Sequence, residues 1–264
     1  CHPPKPGTVL RNGFQNSSVY DFYSAQARAH FWADFKKQYV DAYGIKVFWQ
    51  DCDEWCSDSG GDSSTAIYPS AGTAQSVGSA YPAALAQAFS DGLKSSGVAD
   101  GIQLGRSAWA GSQRFGAAVW SGDIGSTWQD LAMSVSAGQS IGLSGIPWWT
   151  ADVGGYGGSH GRAMNTSDAN ARELMVRWVQ FGAFCPLFRI HGFRSPNMSA
   201  VHTCPVCKSY SCDQSHETAA WAYGPQAEKA IEKMIRAREA LRPYINGQMK
   251  VAAETGAPVM RPLW

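Results

Sequence analysis

Residues 25–54 read AQARAHFWADFKKQYVDAYGIKVFWQDCDE, and the fold follows from how this stretch changes period. From Ala25 to Tyr43, Ala27, Phe31, Phe35 and Tyr39 recur at helical spacing, and Gly44 supplies the C-cap. Lys46 to Gln50 then forms a short apolar strand with Asp51 at its C-terminal end. A helix therefore feeds a strand whose end carries a carboxylate.

The same alternation continues along the chain. Ser57 to Ser79 is Gly/Ser-rich and reads as a loop, Tyr81 to Ser95 as a helix stopped at Gly97, and Gly101 to Arg106 as a strand. Apolar runs at Ala117 to Trp120 and Gly145 to Trp149 flank a helical segment from about Thr127 to Ala137. A further run, Cys185 to Ile190, follows the helical stretch Arg172 to Phe181. Pro225 to roughly Lys250 reads as one long amphipathic helix, and Val259 to Trp264 as an extended segment after Pro258. Strands alternating with helices predict a parallel sheet wrapped by helices. The polar residue ending nearly every strand (Asp51, Arg106, Asp123, Asp152, His191) favours a (β/α)8 TIM barrel, whose active site forms at strand C-termini. Only five such strand ends are present, so the expectation is an incomplete barrel, about strands 4 to 8, with three strands upstream of Cys1. No internal repeat is visible.

Composition narrows the function. The 264 residues are 44% hydrophobic, with 11 Trp, 10 Tyr and 11 Phe, enough to bury a large core. A net charge of +1 from 22 basic and 21 acidic residues, with no basic block, gives no support for nucleic-acid binding. No apolar run reaches the roughly 18 residues of a membrane span. The opening Cys1-His2-Pro3-Pro4-Lys5-Pro6 resembles neither a signal peptide nor a natural start. Asn-x-Ser/Thr triplets at Asn16, Asn165 and Asn197 are candidate glycan acceptors. Cys204, Cys207 and Cys212 crowd one loop, and Cys52 and Cys56 another, as local disulfides would in an oxidising compartment. These features point to a secreted protein or one in the secretory or lysosomal pathway.

The chemistry concentrates at two strand ends. Phe48-Trp49-Gln50-Asp51-Cys52-Asp53-Glu54 delivers three carboxylates within four residues, suited to acid chemistry, to Mg²⁺ ligation by Asp51, Asp53 and Glu54, or to plain capping. Trp120-Ser121-Gly122-Asp123 places a second carboxylate beside a Trp. Two carboxylates from different strand ends, among aromatics that suit sugar faces, meet the needs of glycoside hydrolysis, in which one attacks the anomeric carbon and the other protonates the leaving oxygen.

The blocks Arg106-Ser107-Ala108-Trp109-Ala110-Gly111-Ser112-Gln113-Arg114-Phe115, Trp120-Ser121-Gly122-Asp123, and Gly145 through Gly155 (GIPWWTADVGG) resemble three successive blocks of glycoside hydrolase family 31. The likeness continues through Arg177 to Pro186, Phe188-Arg189-Ile190-His191-Gly192 and Gly256 to Leu263. It covers the chain from about Tyr20 onward. The resemblance implies that Asp51, in Trp49-Gln50-Asp51-Cys52-Asp53-Glu54, is the nucleophile, and that Asp123 is the general acid/base, with a pKa raised by burial or by the charge of Asp51. It implies a separation of about 5 to 5.5 Å between the two carboxyls, as in retaining enzymes. It further implies that Arg106, Asp152 and His191 hydrogen-bond sugar hydroxyls and that Trp49 and Trp120 form the apolar wall. Each has a plainer reading: Arg106 as an ion-pair partner, Asp152 as a cap, His191 as a core histidine, the tryptophans as core. Glu54 is expected to orient its neighbours rather than react.

Two departures from the family stand out. The family's barrel has earlier strands, one carrying an aspartate that grips the far side of the sugar, and this chain has no counterpart. Cys204-Pro205-Val206-Cys207 and Cys212, between His202 and His216, could be disulfides, free thiols or zinc ligands, and no metal is assigned. The resulting expectation is a partial catalytic barrel, residues 1–264, without flanking β-sandwich domains. It would cleave terminal α-linked glucose or xylose from oligosaccharides through a glycosyl-aspartate, with no cofactor. A transglycosylase using the same ester, a catalytically idle carbohydrate-binding fragment and a Mg²⁺ enzyme are the alternatives. Glucose versus xylose and the oligomeric state stay open.

Overall fold

The computed structural model describes residues 8–10, 18–54, 67–157, 164–195, 216–217 and 220–263. These form two compact units, one ending at Val119 and one beginning at Trp120.

The first unit is built from α1 (Ala25–Phe35), β1 (Val47–Gln50), α2 (Tyr81–Ser95), β2 (Ile102–Gly105) and β3 (Ala117–Trp120), whose last residue, Trp120, opens the second unit. Ser24 caps α1 by accepting from Ala27 N at 3.3 Å. The helix then widens into a π turn over Lys36–Val40, and Gly44, at φ 66°, ends it as its sequence predicts. β1 pairs parallel with β2, Gln50 opposite Gly105, and β2 pairs parallel with β3. The core between helices and strands is Trp32, Phe48, Phe89 and Leu93. The indole of Trp32 lies on α2 at Gly92, where a Cβ would stand 2.0 Å from the ring, so only glycine permits the contact. Truncating a buried Trp of this kind costs about 3–5 kcal/mol. The segment expected to be loop contains more order than its composition suggests. Within it, Ile67–Tyr68 pairs antiparallel with Gly72–Thr73, and a short helix follows at Ala74–Val77. Tyr68 and Ala74 are buried with Phe22 and Tyr81, and that burial overrides the Gly/Ser composition.

The second unit contains α3 (Trp128–Leu143), β4 (Trp149–Thr150), α4 (Ala169–Gly182), α5 (Pro225–Ala240) and α6 (Arg242–Thr255). Three expectations change here. α3 runs six residues past Ala137, because Gly138 and Gly142 are packing positions: a Cβ on Gly138 would stand 2.9 Å from Trp149, and one on Gly142 2.8 Å from Pro258. The run Cys185 to Ile190 is a turn with a single parallel bridge, Val153 to Ile190. Arg238 of α5 donates to the carbonyls of Ala183 (3.0 Å), Pro186 (2.8 Å) and Cys185, which removes them from any strand ladder. The expected long helix breaks at Leu241 into α5 and α6, with Pro243 in the first turn of the second.

Candidate active site

The parallel register of β1 and β2 decides the cluster of candidate residues in the first unit. Because Gln50 pairs with Gly105, the next residues, Asp51 and Arg106, leave the sheet side by side, and Arg106 N donates to Gln50 O at 3.1 Å. Arg106 Nη1 lies 3.2 Å from Asp51 Oδ1, while its Nε and Nη2 bind Glu54 Oε1 and Oε2 at 2.7 and 2.8 Å. Ser107 Oγ also donates to Glu54, at 2.8 Å. Burial opposes ionisation of Glu54, but the hydrogen bonds from Arg106 and Ser107 outweigh it and hold its pKa at about 2. Glu54 in turn raises the pKa of Arg106 still further. Glu54 thus orients a neighbour, as the sequence suggests.

Asp51 accepts from Cys52 N at 2.8 Å and keeps its side chain 40% exposed. Strand alternation sets Val47, Trp49 and Asp51 on one exposed face and Phe48 and Gln50 on the buried one. Trp49 therefore shares a face with Asp51. A cavity of about 520 Å³ runs from Phe31, Phe35 and Phe89 to Trp49, Asp51 and Glu54.

The other unit has its own cluster of candidate residues, where three loops are pinned together. Asp123 follows Gly122, whose φ of 70° turns the chain after β3. Tyr156 N donates to Ile124 O at 2.8 Å, and Gly155 N to Asp152 O at 2.8 Å. Gly192 approaches so closely that a Cβ would stand 2.0 Å from Gly155 O. Asp152 is fully buried, its N–H donating to Ser121 Oγ at 3.0 Å and its carboxylate paired with Arg189 Nη1. The Arg189 guanidinium stands 5.4 Å over the buried ring of Trp120. His191, half-buried, stacks on Tyr156 with ring centroids 5.7 Å apart.

The structure thus gathers Trp49, Asp51 and Arg106 in one unit and Trp120, Asp123, Asp152 and His191 in the other. It also adds Arg189, two residues before His191, to which the sequence reading gave no role, and Asp53, which entered the sequence analysis only as one of the candidate Mg²⁺ ligands. Among the described residues no group of three His, Cys, Asp or Glu is placed to hold a metal ion; in particular Asp51, Asp53 and Glu54 do not converge. Asn165 is exposed, with its Oδ1 accepting from Ser167 N at 2.9 Å. Asn16, Asn197, Cys56, His202, Cys204, Cys207 and Cys212 lie outside the described residues.

Residues 3–248 match the family model described as the glycosyl hydrolases family 31 TIM-barrel domain. An "Uncharacterized family 31 glucosidase ORF2" of Pseudescherichia vulneris is 42% identical over 183 residues, covering 69% of this chain and 33% of that protein. Alpha-xylosidase A of Aspergillus niger is 33% identical over 280 residues, covering 98% of this chain and 35% of its own length. Among solved structures, a family 31 α-xylosidase from a soil metagenome, complexed with xylose, superimposes with a TM-score of 0.82 at 40% identity, over 97% of this chain and 36% of that one. The chain spans about a third of the length of these relatives.

Proposed function

Because the chain belongs to glycoside hydrolase family 31 and carries its TIM-barrel domain, we propose that it forms part of a retaining α-glycosidase that removes terminal α-linked xylose or glucose from oligosaccharides. Xylose is the first choice, supported by the α-xylosidases that align with nearly the whole chain.

The observation that carries the reading is the setting of Asp51. It is an exposed carboxylate at a strand's C-terminal end, with Cys52 N–H and the Arg106 guanidinium both on Oδ1. These donors fix its direction while Oδ2 attacks. Asp51 bonds to the anomeric carbon as Asp123 gives its proton to the departing oxygen, leaving a glycosyl ester of inverted configuration. Water then attacks the same carbon and yields its proton to Asp123, Asp51 leaves, and the second inversion restores the starting configuration. Trp49 supplies an apolar wall and His191 takes a sugar hydroxyl, while Asp152 and Trp120, both buried, hold Arg189 in place just before His191. Arg106 joins them in this reading but first of all clamps Asp51.

The test uses the full-length protein that contains this chain, with nitrophenyl α-xyloside and α-glucoside as substrates. Asp51→Ala and Asp123→Ala are each expected to lose most activity, and azide to rescue Asp51→Ala with release of a β-glycosyl azide. An Asp51→Ala enzyme that still turns over sinks the reading. Sugar-to-sugar transfer products in place of free sugar would shift it to a transglycosylase.

A further inference from the structure

The turn that carries Asp51 also holds a carboxyl for which the mechanism above has no use. Asp53 is only 4% exposed, although Asp51 and Cys52 before it face solvent. Its Oδ2 rests on the end of β2, so close to Gly105 that a Cβ there would stand 2.6 Å away. The Ser107 N–H donates to the same carboxyl. Oδ1 is buried with no hydrogen-bond partner among the described residues. The chain reaches this placement by bending at Cys52, whose φ of 51° is the one positive value among the described non-glycine residues. Such a conformation costs of order 1 kcal/mol or more and persists where neighbours enforce it.

The geometry assigns Asp53 as a positioning residue: its buried carboxyl keys the turn of residues 51–54 onto the Gly105 backbone, aiming Asp51 outward and Glu54 onto Arg106. The assignment rests on the reading of Asp51 as nucleophile. Asp53 lies between the two residues that the Arg106 guanidinium joins, so any shift of its backbone displaces both at once. An apolar side chain would leave the Ser107 N–H without its acceptor, whereas an amide keeps both shape and acceptor.

The environment also gives this key a charge state. Burial, and after it the charge of Glu54, push the Asp53 pKa up to about 7. The charged groups acting on it are Glu54 on its own turn and Arg106 at the end of β2, while Gln50, Gln103 and Ser107 are the neutral polar groups nearby. Below pH 7 the carboxyl keeps its proton. Above it, a buried anion faces Glu54, and the turn loosens around Asp51.

The experiment compares Asp53→Asn and Asp53→Ala in the full-length protein, following kcat and KM against pH on a nitrophenyl α-glycoside, whose good leaving group needs little help from Asp123. Asp53→Ala is expected to lower kcat by about 100-fold, the usual cost of a displaced reacting group, with little change in KM. Asp53→Asn should restore most of kcat at pH 6 and abolish the fall in kcat/KM near pH 7. A wild-type kcat in Asp53→Ala, or an alkaline limb that survives in Asp53→Asn, overturns the assignment. Where Asp53→Ala fails to fold, the pH profile of Asp53→Asn decides alone. The azide experiment on Asp51→Ala keeps the two questions apart: an active Asp51→Ala removes the nucleophile, whereas azide rescue beside wild-type behaviour of both Asp53 variants removes only the role of Asp53.

Discussion

Arg106 meets Glu54 through two parallel hydrogen bonds, at 2.7 and 2.8 Å, from Nε and Nη2 to the two carboxylate oxygens. The third nitrogen of the same planar group stands beside Asp51. A rigid fork whose far prong is fixed on one carboxylate can aim its near prong at another, which a flexible ammonium cannot do.

Arg106→Lys is therefore expected to behave as a severe change despite its conserved charge. A loss of about 10- to 100-fold in kcat/KM, equivalent to roughly 1.4–2.7 kcal/mol, should be seen by steady-state kinetics. Glu54→Gln, which frees the fork, should fall in the same range. A lysine variant with wild-type kinetics would show that charge alone suffices.

Stability should respond to pH in opposite directions at the two carboxyls of this turn. Asp53 has its pKa raised in the fold, from 3.8 to about 7, so the folded state binds the extra proton and stability falls as pH climbs from about 4 to 7. The full effect is roughly 4 kcal/mol at most, at about 1.4 kcal/mol per pK unit. Glu54, held at about 2 against 4.5, contributes stability above pH 4.5 that is lost as pH falls toward 2. Denaturant unfolding across pH should show a maximum near pH 4 to 5, and Asp53→Asn should flatten its alkaline side.

The buried pair of Asp152 and Arg189 yields a third expectation. Arg189→Met takes the guanidinium away from a fully buried carboxylate, and breaking such a pair costs about 3–5 kcal/mol. The double variant Arg189→Met, Asp152→Leu should recover much of that loss in a thermal melt, though not the activity, because the segment just before His191 loses its charged anchor.

Two glycines should separate sharply. Gly192→Ala brings a Cβ to 2.0 Å from Gly155 O at φ 136°, so the loop carrying His191 or the one at Gly155 must move, and loss of soluble protein or of kcat/KM is expected. Gly247→Ala, inside α6 with open space around its Cβ, should instead gain about 0.5–1 kcal/mol. Expression yield and melting temperature check both.

Strand ends were the most legible part of the sequence. β3 runs from Ala117 to Trp120 as its apolar pattern predicts, and Asp51, Arg106 and Asp123 follow their strands as expected. Local composition misled where long-range contacts decide. Gly138 and Gly142 look like breakers until Trp149 and Pro258 are seen against them, and Cys185 to Ile190 looks like a full strand until Arg238, some fifty residues away, takes the carbonyls of Cys185 and Pro186 and leaves only Leu187 to Ile190 alongside Trp149 and Val153. The burial of Asp53 was hidden for the same reason. Nothing in the Asp-Cys-Asp-Glu string says which carboxylate turns inward, because the answer lies in the glycine that ends the neighbouring strand.

The Gln50 to Gly105 pairing works as a ruler laid across two segments more than fifty residues apart. Asp51 and Arg106 meet because both strands stop at the same mark, and nothing downstream corrects an error. Substitutions on the exposed rungs of β1 leave that alignment alone. A single residue inserted or deleted in either strand would offset the two ends and carry the carboxylate to the opposite face of the pleat. Evolution can repaint an exposed rung such as Val47, but it cannot change the length of the strand by one.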